Sequence, residues 1–380
     1  MDDSKRLKVL SDILQWDAEE ATLEFAWLKQ MAAIKYDDYR DFVPGMRFFE
    51  NLASWLQQFE TLDERRIAYG LLRQRLIYVS PSEMQRLVEQ LYPCYVERPV
   101  IRAVANRCKV PTYLVRAAPE ANKVFERLRR STLILGLSDG ARIDILRHST
   151  VGLLSNEQFV IQTQVDSYKW ESLLSDLRAD LKDPAALFEF VFLVDDFMGT
   201  GSSYLRYDKE KKKWKGKATK FIESLMLAQE QQPIMAKDWQ LHVHHYLGTH
   251  RASEVMPKAE LAAREAEHGG IQLERPSTFT FGAIVPDAVR VRAGLAEDAN
   301  LVALTKKYYN KKIETKHTNV GGVDHIGLGY GECALPLILH HNTPNNSLAL
   351  LWAETESGKD DEGNDLMEMR PLFRRRQRHT

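Results

Sequence analysis

The stretch FVFLVDDFMGTGSS, residues 190 to 203, constrains the fold more than any other part of the chain. Phe190 to Val194 are consecutively apolar, without the polar alternation of a half-exposed strand, as expected for a parallel strand covered on both faces. Asp195, Asp196, Phe197 and Met198 follow, then the loop Gly199-Thr200-Gly201-Ser202-Ser203, with a helix expected from about Tyr204. A loop that leaves the carboxyl end of a parallel strand and enters a helix aims backbone amides and the positive end of the helix dipole at one point, and a phosphate suits that point. Gly199 and Gly201 permit close backbone approach, while Thr200, Ser202 and Ser203 can donate hydroxyl hydrogen bonds to the same anion.

Asp195 and Asp196 narrow the ligand further. Two carboxylates directly before a pyrophosphate cradle repel it unless a cation intervenes. A ribose removes the conflict, because its hydroxyls donate to carboxylates, its 5′-phosphate reaches the loop beyond, and Mg²⁺ can bridge hydroxyls and pyrophosphate. Other phosphate motifs fit worse: no loop ends in Gly-Lys-Ser/Thr, and GTGSSY lacks the third glycine of a dinucleotide fingerprint.

The surroundings agree with an α/β architecture. From about Val100, short apolar runs alternate with amphipathic stretches, with strands expected at 132–137, 159–164, 188–194, 240–247, 278–285 and 334–340. Before that, apolar residues recur at helical spacing, as in Leu7, Leu10, Ile13 and Leu14, and Thr61 with Glu64 and Ser80 with Glu83 read as helix starts. The expected division is a helical domain over 1–95, an α/β domain over 96–355, and a polar then basic extension over 356–380. At 380 residues, two domains are the natural expectation, and a formal net charge of -1 excludes a protein-wide basic field for nucleic acid. Cys94, Cys108 and Cys333 have no paired spacing, which points away from a disulfide framework and towards a reducing cytoplasm. The charged opening residues and the lack of a long apolar run predict no export signal and no membrane partner.

These residues resemble the phosphoribosyl pyrophosphate-binding motif of class I phosphoribosyltransferases: apolar Leu193 and Val194, acidic Asp195 and Asp196, apolar Phe197 and Met198, then Thr200, Gly201 and Ser203. The resemblance implies a parallel sheet with helices on both faces, a pentosyltransferase activity, and Mg²⁺ at Asp195 and Asp196. It assigns substrate binding to Met198 through Ser203, and to Ser138, Asp139 and Gly140 in the loop after the first strand, where pyrophosphate is cradled in that family. Asp195, Asp196 and Arg142 are the implied catalytic groups, with Arg142 neutralising the leaving group. Taken alone, Ser138 to Ala141 is equally a capped βα turn.

A wider similarity takes in SDGARID at 138–144, SNEQ at 155–158, HHNTPNNSLALLW at 340–352 and PLFRRR at 371–376, and it is with phosphoribosyltransferase-like proteins of bacterial conflict systems, some encoded beside retron reverse transcriptases. That similarity implies an antiphage effector whose helical domain contacts a protein or nucleoprotein partner. Alternatives are a noncatalytic nucleotide-binding sensor, and an N-glycosidase-type toxin acting on nucleotides or NAD. The basic segment DKEKKKWKGKATK at 208–220 reads as an exposed hairpin or mobile loop, and it is one candidate for the lid of a catalytic member. His242 and His244 would share a strand face, where a metal or simple packing are the two readings, and the arginines at 374–378 read as a solvated end.

Overall fold

Apolar residues at helical spacing form α1 (Asp3–Leu14), α2 (Ala18–Ile34), α3 (Phe48–Gln57) and α4 (Leu62–Gln74), followed by the short strand β1 (Ile77–Val79) and helix α5 (Pro81–Gln90). Thr61 and Glu64 form the expected reciprocal cap of α4, and Ser80 and Glu83 do the same at α5. A π-helical turn over Leu91–Val96 leads to α6 (Glu97–Cys108) and α7 (Pro119–Arg130). The rhythm then becomes β2 (Thr132–Gly136), α8 (Ile143–Ser149), β3 (Phe159–Val160), α9 (Ser167–Leu181), β4 (Phe188–Met198), β5 (Arg206–Asp208), β6 (Lys213–Lys215), α10 (Lys217–Gln229), β7 (Met235–Thr249), α11 (His250–Arg264) and β8 (Thr278–Val285). Beyond it lie α12 (Ala299–Lys307), β9 (Leu337–Leu339) and α13 (Ala349–Trp352). This computed structural model describes residues 2–315, 323, 325–359, 363 and 365–375.

The chain forms two compact units, Met1–Glu83 with Pro286–Thr380, and Met84–Val285. This grouping differs from a division at residues 95 and 355. The apolar run at 334–340, expected as a strand of the main sheet, instead pairs in parallel with β1, Ile77 opposite Leu337 and Val79 opposite Leu339. A three-residue strand among helices is too short to produce a period-two signal, so β1 was not legible.

In the first unit, Phe373 is fully buried and its ring lies 5.2 Å from Tyr39, 5.6 Å from Tyr78, 5.7 Å from Tyr36 and 5.9 Å from both Phe42 and Phe48. The Phe373 amide donates to the Leu351 carbonyl at 2.9 Å, and Tyr39 Oη donates to the Arg374 carbonyl at 2.5 Å. Within the extension expected over 356–380, Met369, Leu372 and Phe373 are therefore core, Arg374 and Arg375 of the arginine run read as a solvated end are half-buried, and Arg376 to Arg378 lie outside the described residues.

In the second unit five strands form one parallel sheet in the order β3-β2-β4-β7-β8. Leu133, Leu135, Val191, Leu193, Leu241 and Val243 pack in one apolar cluster with Trp170 and Leu173 of α9 and Phe221 and Ile222 of α10. The other face is met by Tyr95, whose ring lies 4.3 Å from His244, and by Leu87 of α5 near Gly282. Double coverage explains the unbroken apolar run Phe190 to Val194 in β4.

Phe373→Ala should lower unfolding stability by about 3–5 kcal/mol, the usual cost of removing a buried aromatic ring. Chemical denaturation measures this, and a change under about 1 kcal/mol would show that the ring does not anchor the first unit.

Candidate functional site

The site begins where β4 outruns the expected strand. β4 continues through Met198, so Asp195 and Asp196 lie within the strand, on opposite faces of the sheet. Asp195 is almost fully buried, accepts a hydrogen bond from Ser138 Oγ and pairs with Lys217 Nζ. Burial pushes its carboxyl above the ordinary carboxylate range, and the Lys217 ammonium pulls in the opposite direction. Asp196 is half-buried and faces the backbone of Gly140, where an added Cβ would lie 2.3 Å from Oδ2. The Phe197 amide donates to Asp196 Oδ1 at 2.8 Å and fixes the carboxylate.

Ser138 and Gly140 are thus brought to the acid pair, each by a specific contact. Ser138 caps the short turn Asp139–Ala141 by accepting from the Gly140 amide at 3.2 Å, as the capped-turn reading expects, and the same hydroxyl donates to Asp195. Asp139 points to solvent, and Arg142 is half-buried with φ +51°, at the junction with α8. The Ala141 carbonyl accepts from Tyr246 Oη at 2.8 Å, which ties the loop to β7.

The loop 199–203 is a tight turn. Gly201 has φ +84°, in the left-handed region, and a Cβ there would lie 3.1 Å from Met256 and Val255 side-chain atoms. Its carbonyl accepts from the Tyr204 amide at 3.2 Å. Thr200 Oγ1 and Ser202 Oγ are 2.7 Å apart, Ser203 Oγ donates to Met198 Sδ at 3.2 Å, and Thr249 Oγ1 holds the Gly199 carbonyl at 2.6 Å.

One expectation is corrected here. No helix starts at Tyr204; the hairpin of β5 and β6 comes first, with Tyr207 opposite Trp214, and α10 begins only at Lys217. Gly216 closes the detour: at φ +151° it lies so near Tyr204 that a Cβ would be 2.1 Å from the Tyr204 carbonyl oxygen. The Lys217 and Ala218 amides then donate to the Ser203 and Tyr204 carbonyls at 3.1 and 3.0 Å. The first amides of α10 are used by the loop itself, so they do not form the expected anion-binding helix terminus. The positive charge at this corner comes instead from the Lys217 side chain, which sequence reasoning missed. Its only signal was its place, directly after the glycine that ends the basic hairpin.

The histidines of β7 pack rather than converge. His242 stacks on Phe192 at 4.6 Å, His244 Nδ1 lies 2.9 Å from Thr280 Oγ1, and His245, opposite Asp195 in register, lies against Phe281 at 5.8 Å. Among the described residues no group of three potential metal ligands comes together. His340 and Asn342 to Asn346 belong to the first unit.

Burial lowers His242 to about 4 and His244 and His245 to about 3, with Lys217 adding to the effect at His245. These imidazoles stay neutral when folded and take up protons on unfolding, so the unfolded chain binds more protons as pH falls below its value near 6.5. Stability is therefore lost from about pH 6.5 downward, by about 1.4 kcal/mol per pH unit for each histidine. His242→Phe should remove about a third of that histidine-linked slope in urea unfolding at pH 7, 6 and 5. An unchanged slope would mean that His242 titrates normally inside the fold.

No helix among the described residues is long and apolar enough to cross a membrane. No curated protein and no solved structure matches the chain. A family model described as PRTase-CE matches residues 52–375, from within α3 to beyond Phe373, and so includes β4, the acid pair and the loop after it. With a parallel sheet flanked by helices and the acid pair at the carboxyl end of its central strand, the chain is a phosphoribosyltransferase-like protein and belongs to the PRTase-CE family.

Proposed function

We propose that the second unit binds phosphoribosyl pyrophosphate or a closely related ribose 5-phosphate nucleotide together with Mg²⁺, and transfers the pentosyl group. The observation that carries this reading is the meeting of two strand-end loops at one acid pair, Ser138 on Asp195 and Gly140 against Asp196, with the turn 199–203 immediately beyond. Ligands of open α/β sheets lie in such crevices outside the strands' carboxyl ends.

The geometry separates the two acids. Asp195, committed to Ser138 and Lys217, holds the two loops and the start of α10 in place. Asp196 is the carboxylate that accepts from ribose hydroxyls, and the hydroxyls of Thr200, Ser202 and Ser203 take the 5′-phosphate. Remote phosphate binding of this kind fixes the position of the anomeric carbon. There the bond to pyrophosphate breaks, pyrophosphate leaves with the electron pair, and the acceptor forms the new bond and gives up its proton. Arg142 offsets the charge that builds on the leaving group. Mg²⁺, when bound, neutralises pyrophosphate charge. The residues fit such a cation through Asp196 and oxygens of the ligand, since Mg²⁺ is commonly held by one or two carboxylates plus phosphates. Asp195 fits poorly as a direct ligand, because Lys217 already occupies its outer oxygen.

The same Lys217 contact favours a second reading, a binding module without transfer, because a carboxylate already neutralised contributes little to chemistry. The family resemblance adds an antiphage setting to either reading. Pyrophosphate release, measured with Mg²⁺, phosphoribosyl pyrophosphate and a panel of bases, should fall by at least about 100-fold in Asp196→Asn. Ligand binding without any release by the unaltered protein would select the binding module, and free base with ribose phosphate as products would select the glycosidase-type toxin. Loss of phage protection in Asp196→Asn would support the defence role.

Gly140→Ala gives an independent check, because the added methyl group must displace the Asp196 carboxylate. The fold should be kept within about 1 kcal/mol, while affinity for phosphoribosyl pyrophosphate, read by calorimetry, should drop about tenfold or more. Undiminished affinity would remove Asp196 from the ligand.

A further inference from the structure

Ser203, at the far end of the phosphate turn, also lines a groove of about 390 Å³ between the hairpin of β5 and β6 and the first turns of α10. That volume is in the range of small-molecule sites. The walls are cationic: Arg206, Lys213 and Lys215 come from the hairpin, Lys217 and Lys220 from the helix, against one acid, Glu223. Three of these cations are already committed. Lys215 pairs with Asp208, Lys217 pairs with Asp195, and Arg206 Nη1 donates to the Ser202 carbonyl at 3.2 Å. Lys213 and Lys220 are exposed, and among the described residues neither has an acidic side chain within ion-pair distance. The hairpin wall is fixed, since Trp214 meets Tyr207 edge to face at 5.6 Å and its amide donates to the Gly269 carbonyl at 3.4 Å.

The groove starts where a 5′-phosphate held by the turn would end. A chain of further phosphates leaving that position passes Lys217, whose ammonium cancels the repulsion that Asp195 would otherwise exert. It then meets the two uncommitted lysines, one from each wall. We propose that this groove takes the distal phosphates of a ribose ligand bearing a 5′-polyphosphate chain, the chemical class of nucleoside 5′-triphosphates and dinucleotides. The inference rests on the cradle reading above and, within its alternative of a ribose 5-phosphate nucleotide, extends the ligand from a 5′-monophosphate to a longer 5′ phosphate chain, phosphoribosyl pyrophosphate itself occupying the turn alone.

Calorimetric titration of the full chain with ATP, AMP, ribose 5-phosphate, tripolyphosphate and a single-stranded oligonucleotide tests it. ATP should bind about tenfold or more tightly than AMP, and the double variant Lys213→Glu, Lys220→Glu should abolish that preference. AMP affinity should stay within about twofold, which also reports an intact fold. Equal affinities for ATP and AMP, or equal losses for both in the variant, overturn the proposal. So does an oligonucleotide that needs both lysines while the ATP preference does not. If neither AMP nor ribose 5-phosphate binds, the cradle reading fails. Tripolyphosphate binding that still requires both lysines then supports the groove by itself, and indifference to them sinks it.

Discussion

Asp195 is the constraint around which the second unit is arranged. A carboxylate taken out of water in the middle of a sheet must find donors or a counter-charge, and losing one partner of such a pair costs about 3–5 kcal/mol. Ser138 and Lys217 meet that requirement from two different segments, the loop after β2 and the start of α10. The same pair of contacts fixes where the Gly140 turn sits, and with it the space in front of Asp196. The buried acid thereby sets the position of the Gly140 turn against its half-exposed neighbour, Asp196.

The parts legible in the sequence were those with strong local signals. β4, the acids and the glycine-hydroxyl turn follow from five apolar residues, two carboxylates and two glycines in one short run, and β7 and β8 follow from apolar and aromatic residues interleaved with histidine or threonine. The basic segment at 208–220 reads as an exposed hairpin or mobile loop; the structure makes it a hairpin ending at Lys215, a detour between turn and helix, with 217–220 already in α10. Tyr204 and Leu205 look like the first turn of a helix, and only a contact with distant Gly216 reveals that they are not. Lys217, Tyr246 and Thr249 join the site through tertiary contacts that leave no trace in spacing.

The first unit illustrates the same limit. β1 and β9 are each three residues long and recognise one another across most of the chain. A polar stretch after Glu354 hides the return of Leu372 and Phe373 into the aromatic core, since two apolar residues among arginines carry no periodicity. Composition described the tail's average, whereas the core depends on two of its side chains.

The contact between Gly216 and Tyr204 has a consequence for how the protein can vary. Because the two ends of the hairpin meet there, the residues between them are a closed excursion whose tip, Lys209 to Lys212, bears no strand of the sheet. Closing a somewhat longer loop on a fixed base costs only about 0.6 kcal/mol per doubling of length. Descendants of this chain can therefore lengthen, shorten or recharge that tip without reworking the sheet, which makes it the natural place for relatives to diverge and for an engineer to graft a reporter.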